Sequence, residues 1–128
     1  MSHSYLDKSD ETFQSGELLR SQLKYNSSIH CYYYSCIQIT NYLFKVKENK
    51  SDSEIRNLFR TENSHNETLN ALVGLVGRMN RREIIQYFND LKQKRVQADY
   101  REFKLNETQS IESKEMSFKF LTLVKSIL

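Results

Sequence analysis

The sequence contains no proline, no tryptophan and only three glycines, Gly16, Gly74 and Gly77, in 128 residues. Reverse turns draw heavily on glycine and proline, one for its positive φ and the other for its preset φ. A small β-sandwich or a βαβ fold needs such turns at short, regular intervals. The scarcity therefore predicts an all-α chain with few connections. No run of about 18 apolar residues exists, which excludes a membrane-spanning helix, and no membrane partner is expected. Residues 1–16 are polar and lack an apolar core, so they do not read as a signal peptide. Cys31 and Cys36 are the only cysteines. Five apart on an expected helix, they point to different faces and are not placed to pair. Two bare thiols without an export signal point to the cytoplasm. Gly-rich phosphate loops, CxxC pairs and HExxH are all missing. Nucleotide hydrolases of the P-loop kind and the common zinc enzymes are thereby set aside, and no cofactor or metal is expected.

What is present fits one globular domain. Hydrophobic residues make up 38% and charged residues 27%, a balance that supports a core rather than a disordered chain. The net charge of +3 is small, but it is unevenly placed. Between Arg78 and Lys104 eight basic residues meet four acids, a local charge of +4 that leaves −1 for the rest. Such a helix either contacts phosphates or is simply a solvated basic face.

Residues 1–9 read as a flexible tail and 10–128 as a single helical domain. A first helix is expected over about 10–24, carrying Phe13, Leu18, Leu19 and Leu23. The polar stretch Tyr25-Asn26-Ser27-Ser28 reads as a break with N-cap residues. The second helix shows the strongest pattern. Ile29, Tyr32, Cys36, Ile39, Leu43 and Val46 recur at steps of three and four, and Tyr33, Ile37 and Phe44 form a second stripe. A helix apolar on two faces is either central in a bundle or covered by a partner chain. Ser51 with Glu54, and Ser64 with Glu67, are capping-box patterns that start two short helices. Gly74 and Gly77 then permit a close crossing or end a helix. Asn80 with Glu83 is a weaker cap for a long helix over about 81–104, and a last helix is expected over 111–127. The architecture is thus an up-and-down bundle of about five helices, three of them long.

Arg95 breaks the inner stripe Ile84, Phe88, Leu91, Ala98 of the long basic helix. An arginine taken off water needs a partner, and Asp99 stands one turn later at the i, i+4 spacing. One reading is a structural ion pair. The other is an arginine set in a cleft to hold a phosphate or a partner, a role its planar fork suits.

Three segments in this order resemble the HEPN domain family. The tyrosine-rich stretch from Tyr25 to Cys36 resembles the family's second helix. Ser64-His65 and the short apolar helix after it resemble the middle element. Lys94-Arg95-Val96-Gln97-Ala98-Asp99-Tyr100 resembles the R-x-x-A-D-Y signature of one subgroup. The resemblance covers about residues 10–128. It implies a HEPN-like bundle that forms homodimers, often beside a small nucleotidyltransferase partner in toxin–antitoxin or defence systems, with RNA or a nucleotide as ligand. Catalytic members are metal-independent ribonucleases with an Arg-x(4–6)-His motif. Here Tyr100 stands where the histidine following Arg95 would be, and a tyrosine is a weak general base at neutral pH. Arg60 and His65 do form an Arg-x4-His string, earlier in the chain. His30, beside the tyrosines, reads as a hydrogen-bonded bundle residue.

The expectations are therefore these. Arg95, Asp99, Tyr100 and Lys94 bind a nucleotide, RNA or partner. Tyr32, Tyr33, Ile37 and Phe44 contact a second copy. The chain acts through dimerisation and partner binding. The alternatives are a HEPN endoribonuclease using Arg60 and His65, or Arg95 and Tyr100, and a helical subunit whose role is assembly alone.

Overall fold

The scarcity of turn residues is met by long helices joined through short links. The structure, a computed structural model, describes residues 4–58, 64–100, 102 and 104–128. Among them are six helices and no strand: α1 (Ser4–Ser21), α2 (Tyr25–Glu48), α3 (Asp52–Leu58), α4 (Ser64–Val73), α5 (Arg78–Tyr100) and α6 (Glu107–Ser126). Four are long rather than three, because α1 begins at Ser4 instead of Asp10. Residues 4–9, read from sequence as tail, are helical for a packing reason. Ser9 is fully buried and its hydroxyl donates to the Ser35 carbonyl at 2.7 Å. Tyr5 and Leu6 pack against the core, and Lys45 Nζ lies 5.4 Å from the Tyr5 ring centroid.

After α1 and after α2 the chain turns on residues other than glycine. Leu23 has φ 65° and Asn49 has φ 53°. At the end of α1 the Lys24 amide bonds the Leu19 carbonyl at 2.9 Å and the Leu23 amide bonds the Arg20 carbonyl at 3.0 Å. These are the two bonds of a Schellman cap, whose left-handed position usually takes glycine. The α1–α2 break therefore falls at 22–24, and Tyr25-Asn26-Ser27-Ser28 is already helix. Leucine in this conformation is strained by about 1–2 kcal/mol, partly offset in a glycine variant by greater unfolded-chain entropy. Leu23 is 71% exposed, so little burial is lost on truncation. Leu23→Gly is expected to raise stability by about 0.5–1 kcal/mol, read as a higher urea midpoint at unchanged slope.

The Ser51–Glu54 capping box forms reciprocally, at 3.2 and 3.1 Å. A second box, Asn106 with Gln109, starts α6 four residues earlier than its apolar pattern suggests. Gly74 and Gly77 lie between α4 and α5, and neither is pressed by a neighbour: a Cβ at Gly74 would meet only the Ala71 carbonyl oxygen at 3.5 Å, and one at Gly77 would stand in open space. They end a helix rather than permit a crossing. Helix α5 starts at Arg78, ahead of the expected Asn80 cap.

The long helices run up, down, up, down, with α3 and α4 inserted between α2 and α5. Cross-helix bonds give the directions. Ser9 meets Ser35 and Glu17 meets Tyr32, so α1 and α2 are antiparallel. Asn26 meets Ala98 and Tyr33 packs against Phe88, so α5 also opposes α2. Ser28–Ser110 at 2.6 Å and Ser35–Ser117 at 3.0 Å keep one offset, so α2 and α6 run parallel. Serines on both sides of this seam let the two helices approach closely, since interaxial distance follows side-chain size.

Helix α2 is central. Ile29, Tyr32, Cys36, Ile39 and Leu43 are all fully buried, whereas Val46, at the end of the expected stripe, is exposed. Tyr33, Ile37 and Phe44 of the second stripe are buried as well. Both apolar faces are thus covered by the chain's own helices. Tyr32, Tyr33, Ile37 and Phe44 accordingly present almost no surface with which to contact a second copy. Cys31 and Cys36 are free thiols, and complete burial pushes that of Cys36 up to about 12.

Gly16 acquires a role from this packing. A Cβ there would lie 2.8 Å from Tyr32 Cε1 and 3.2 Å from Cys31 Cβ. The Tyr32 hydroxyl is held by Glu17 at 2.9 Å and by Arg20 at 3.2 Å, so the ring has little room to yield. Gly16→Ala gains up to about 1 kcal/mol of helix propensity, but overpacking costs about 1–3 kcal/mol. The expected result is a lower melting temperature.

Candidate functional site

The seam between α2 and α5 carries the unusual chemistry. On α2, His30, Tyr33 and Tyr34 fall at helical steps that bring them to one side. On α5, Phe88, Arg95 and Asp99 answer them. Asn26 pins the open end of the seam. Its Nδ2 donates to the Ala98 carbonyl at 3.2 Å and its Oδ1 accepts from the Leu105 amide at 2.9 Å.

Arg95 is buried, with only 7% of its surface exposed. Its guanidinium carbon lies 5.3 Å from the Tyr33 ring centroid, 5.6 Å from Tyr34 and 5.2 Å from Tyr100. Cation–π attraction is strongest where the cation is stripped of water, as here. The ion pair expected from the i, i+4 spacing forms, with Nη1 3.6 Å from Asp99 Oδ2. Burial alone would lower the Arg95 pKa, but the tyrosines around it outweigh burial and hold it above its ordinary value. Its Nε is buried without a hydrogen-bond partner. A guanidinium offers five N–H donors, so this one retains capacity to take acceptor oxygens. Tyr100 lies over it and is itself 72% exposed.

Asp99 is shared. Its Oδ2 accepts from His30 Nδ1 at 2.7 Å, a shorter contact than the one to Arg95. His30 also packs on Tyr34 with ring centroids 4.5 Å apart. The carboxylate therefore has a second partner ready if Arg95 turns to another anion. Lys94 is half-buried on the adjacent position of α5 and makes no described contact with this cluster.

His65 joins the same cluster from α4. Its ring stacks on Phe88 with centroids 4.5 Å apart and planes 12° from parallel. Nε2 lies 2.9 Å from Asn89 Oδ1, and Nδ1 lies 2.9 Å from the Tyr33 hydroxyl. An amide oxygen only accepts, so Nε2 carries the proton, and Nδ1 accepts from Tyr33. The neutral ring satisfies both bonds. Burial lowers the His65 pKa, the Asn89 bond opposes that, and the positive charges of Lys92 and Arg95 lower it further. Burial likewise raises the Tyr33 phenol well above its ordinary value, against the pull of Arg95.

This depressed pKa has a thermodynamic consequence. The folded state binds fewer protons than the unfolded chain between the lowered value and the ordinary 6.5. Stability therefore rises with pH in that window: the contribution is complete above 6.5 and is lost as pH falls through the folded pKa. Urea midpoints measured from about pH 7.5 down to about pH 5 are expected to fall, and His65→Gln should flatten that slope.

The structure thus brings both His65 and Arg95 against Tyr33, a pairing that neither the Arg60–His65 nor the Arg95–Tyr100 expectation contained. Arg60 lies outside the described residues. Tyr100 lies against Arg95, its ring centroid 5.2 Å from the guanidinium carbon and its hydroxyl within reach of the guanidinium. His30, expected as a hydrogen-bonded bundle residue, finds its partner in Asp99, 69 residues away, and Asn89, 24 residues from His65, is a member that sequence reasoning missed. Among the described residues no group of three or more His, Cys, Asp or Glu side chains is placed to hold a metal ion. Nor is any of their helices long and apolar enough to cross a membrane. In comparisons with known proteins, no family model, no curated protein and no solved structure matches the chain.

Proposed function

We propose that the chain is a HEPN-like module that binds the phosphate of an RNA or nucleotide at Arg95 and works beside a protein partner, a small nucleotidyltransferase being the kind the family resemblance implies. The observation that carries the binding reading is the buried, incompletely hydrogen-bonded guanidinium of Arg95. A phosphate supplies an acceptor for the unpartnered Nε. Asp99 yields to it by keeping His30, and Tyr100 moves aside. Basic neighbours Lys92 and Lys94 add attraction. The test is fluorescence anisotropy with a labelled single-stranded RNA and with a nucleotide, at two salt concentrations. Arg95→Met should weaken binding at least about tenfold. Binding that is unchanged in this variant would sink the reading.

A second reading, metal-independent RNA cleavage, is favoured by one observation: His65 is held neutral one tyrosine away from Arg95. A neutral imidazole can accept the proton of a ribose 2′-hydroxyl, and the arginine can stabilise charge on the phosphate. His65 Nδ1 must first release the Tyr33 hydroxyl. Cleavage of RNA in EDTA that His65→Ala abolishes supports this reading, and intact RNA under those conditions excludes it.

A further inference from the structure

His30 stands at the edge of the Arg95 cluster, where the cluster meets water. Its side chain is 47% exposed. It lines an open cleft of about 360 Å³ together with Leu19 of α1, Ser27 and Cys31 of α2, and Ala98 and Asp99 of α5. Its Nδ1 lies 2.7 Å from Asp99 Oδ2. A carboxylate only accepts, so Nδ1 carries a proton, and the proton that comes and goes is the one on Nε2. Histidine is also the side chain whose charge ordinarily changes between about pH 5 and 8. His30 can thus gain or lose a charge while its bond to Asp99 stays in place.

That charge bears on Arg95, because the two residues share two neighbours. Asp99 Oδ2 lies 3.6 Å from Arg95 Nη1, farther than from His30. The Tyr34 ring centroid lies 5.6 Å from the Arg95 guanidinium carbon and 4.5 Å from the His30 ring centroid. With His30 neutral, the Asp99 carboxylate is directed at Arg95 and opposes any other anion there. With His30 protonated, a closer cation matches the carboxylate, and the face of Tyr34 attracts a second cation. Both contacts then hold Arg95 less firmly, and the local charge rises by one. The other titratable groups beside His30 are Cys31 and Tyr34 on its own helix. Burial and Asp99 push the Cys31 thiol up, and a phenol is neutral over the same range, so neither adds a charge. From α1 the cleft receives Leu19.

We propose that His30 is a positioning residue of the Arg95 site: acting through Asp99, its charge sets how tightly Arg95 holds a phosphate. This rests on the reading of Arg95 as a phosphate-binding group. A protonated His30 releases Arg95 to the ligand, and a neutral one leaves Asp99 in competition with it. The site therefore binds more tightly as pH falls.

Fluorescence anisotropy with a rhodamine-labelled oligouridylate at about pH 5.5 and about pH 8 tests the proposal, since phosphodiesters keep their charge across that range. Wild type is expected to bind about three- to tenfold more tightly at the lower pH, the effect of one charge a few ångströms away in a partly solvated site. His30→Gln keeps a donor for Asp99 without the charge, and should bind at the weaker level at both pH values. His30→Lys carries a fixed charge, and should bind at the tighter level at both. Asp99→Asn should also bind tightly at both, because no carboxylate competes for Arg95. His30 is half-exposed, so its two variants should keep the helical circular dichroism spectrum and decide the matter even where Asp99→Asn fails to fold. A wild-type affinity indifferent to pH overturns the proposal. So does a response that His30→Gln keeps, and its loss in His65→Gln would assign it to that ring. A full response in folded Asp99→Asn overturns the route through the carboxylate. Binding that Arg95→Met leaves unchanged overturns the phosphate reading itself, and this inference with it.

Discussion

Phe88→Ala is expected to lose about 3–5 kcal/mol of stability, the range for truncating a fully buried phenylalanine. Phe88 is completely buried where four helices meet. It stacks on His65 of α4 at 4.5 Å, on Phe120 of α6 at 5.5 Å, and against Tyr33 of α2 at 5.8 Å. Removing the ring opens a cavity whose walls are other aromatic rings, which cannot collapse into it without leaving their own partners. A domain is stable by only about 5–15 kcal/mol, so the loss is a large share of the total. The site is affected as well, because His65 loses the surface that orients its ring towards Tyr33 and Asn89. Urea unfolding followed by helical circular dichroism gives the size of the loss. A wild-type midpoint for the alanine variant would contradict the packing described.

Arg95→Met separates structure from function in the same cluster. The variant is expected to stay within about 1.5 kcal/mol of wild-type stability. Holding a guanidinium out of water costs several kcal/mol in effective terms. Against this stand three cation–π contacts, each worth about 0.5–2 kcal/mol, and one long ion pair. The sums nearly cancel. Methionine keeps the length of the side chain and packs well on aromatic rings. Asp99 is not stranded, because His30 still holds it at 2.7 Å. Phosphate binding responds quite differently. A hydrogen bond to a charged group is worth about 1.5–3 kcal/mol, so RNA affinity should fall by about ten- to a hundredfold. A loss of more than about 3 kcal/mol in stability, the mark of a broken buried pair, would instead assign Arg95 to the framework.

The two variants also show why parts of the cluster were legible in the sequence and others were not. Arg95 and Asp99 are one helical turn apart, and an arginine in an apolar stripe is visible at that spacing. The link from Asp99 to His30 spans 69 residues, and that from His65 to Tyr33 spans 32. No periodicity within one helix encodes either. The serine seam between α2 and α6 was hidden for a different reason. Ser110, Ser113 and Ser117 are fully buried, yet serine reads as polar in any hydrophobic pattern. The early start of α1 depends likewise on Ser9 reaching the Ser35 carbonyl across the bundle.

What the sequence determined by itself is what lies within a turn or two along the chain. With no proline and three glycines it specifies helices, and its apolar steps identify α2 as the element with two faces to cover. Local rules suffice because i, i+3 and i+4 neighbours meet whatever else the chain does. The tertiary structure alone decided which helix covers which face. It buried Tyr32 and Tyr33 within the chain, set Tyr32 against Gly16, and placed a strained leucine where a glycine would serve. Its crossing geometry also put His65, Tyr33 and Arg95 side by side. Those outcomes follow from how the helices pack, and residues far apart in the chain carry no local signal of meeting.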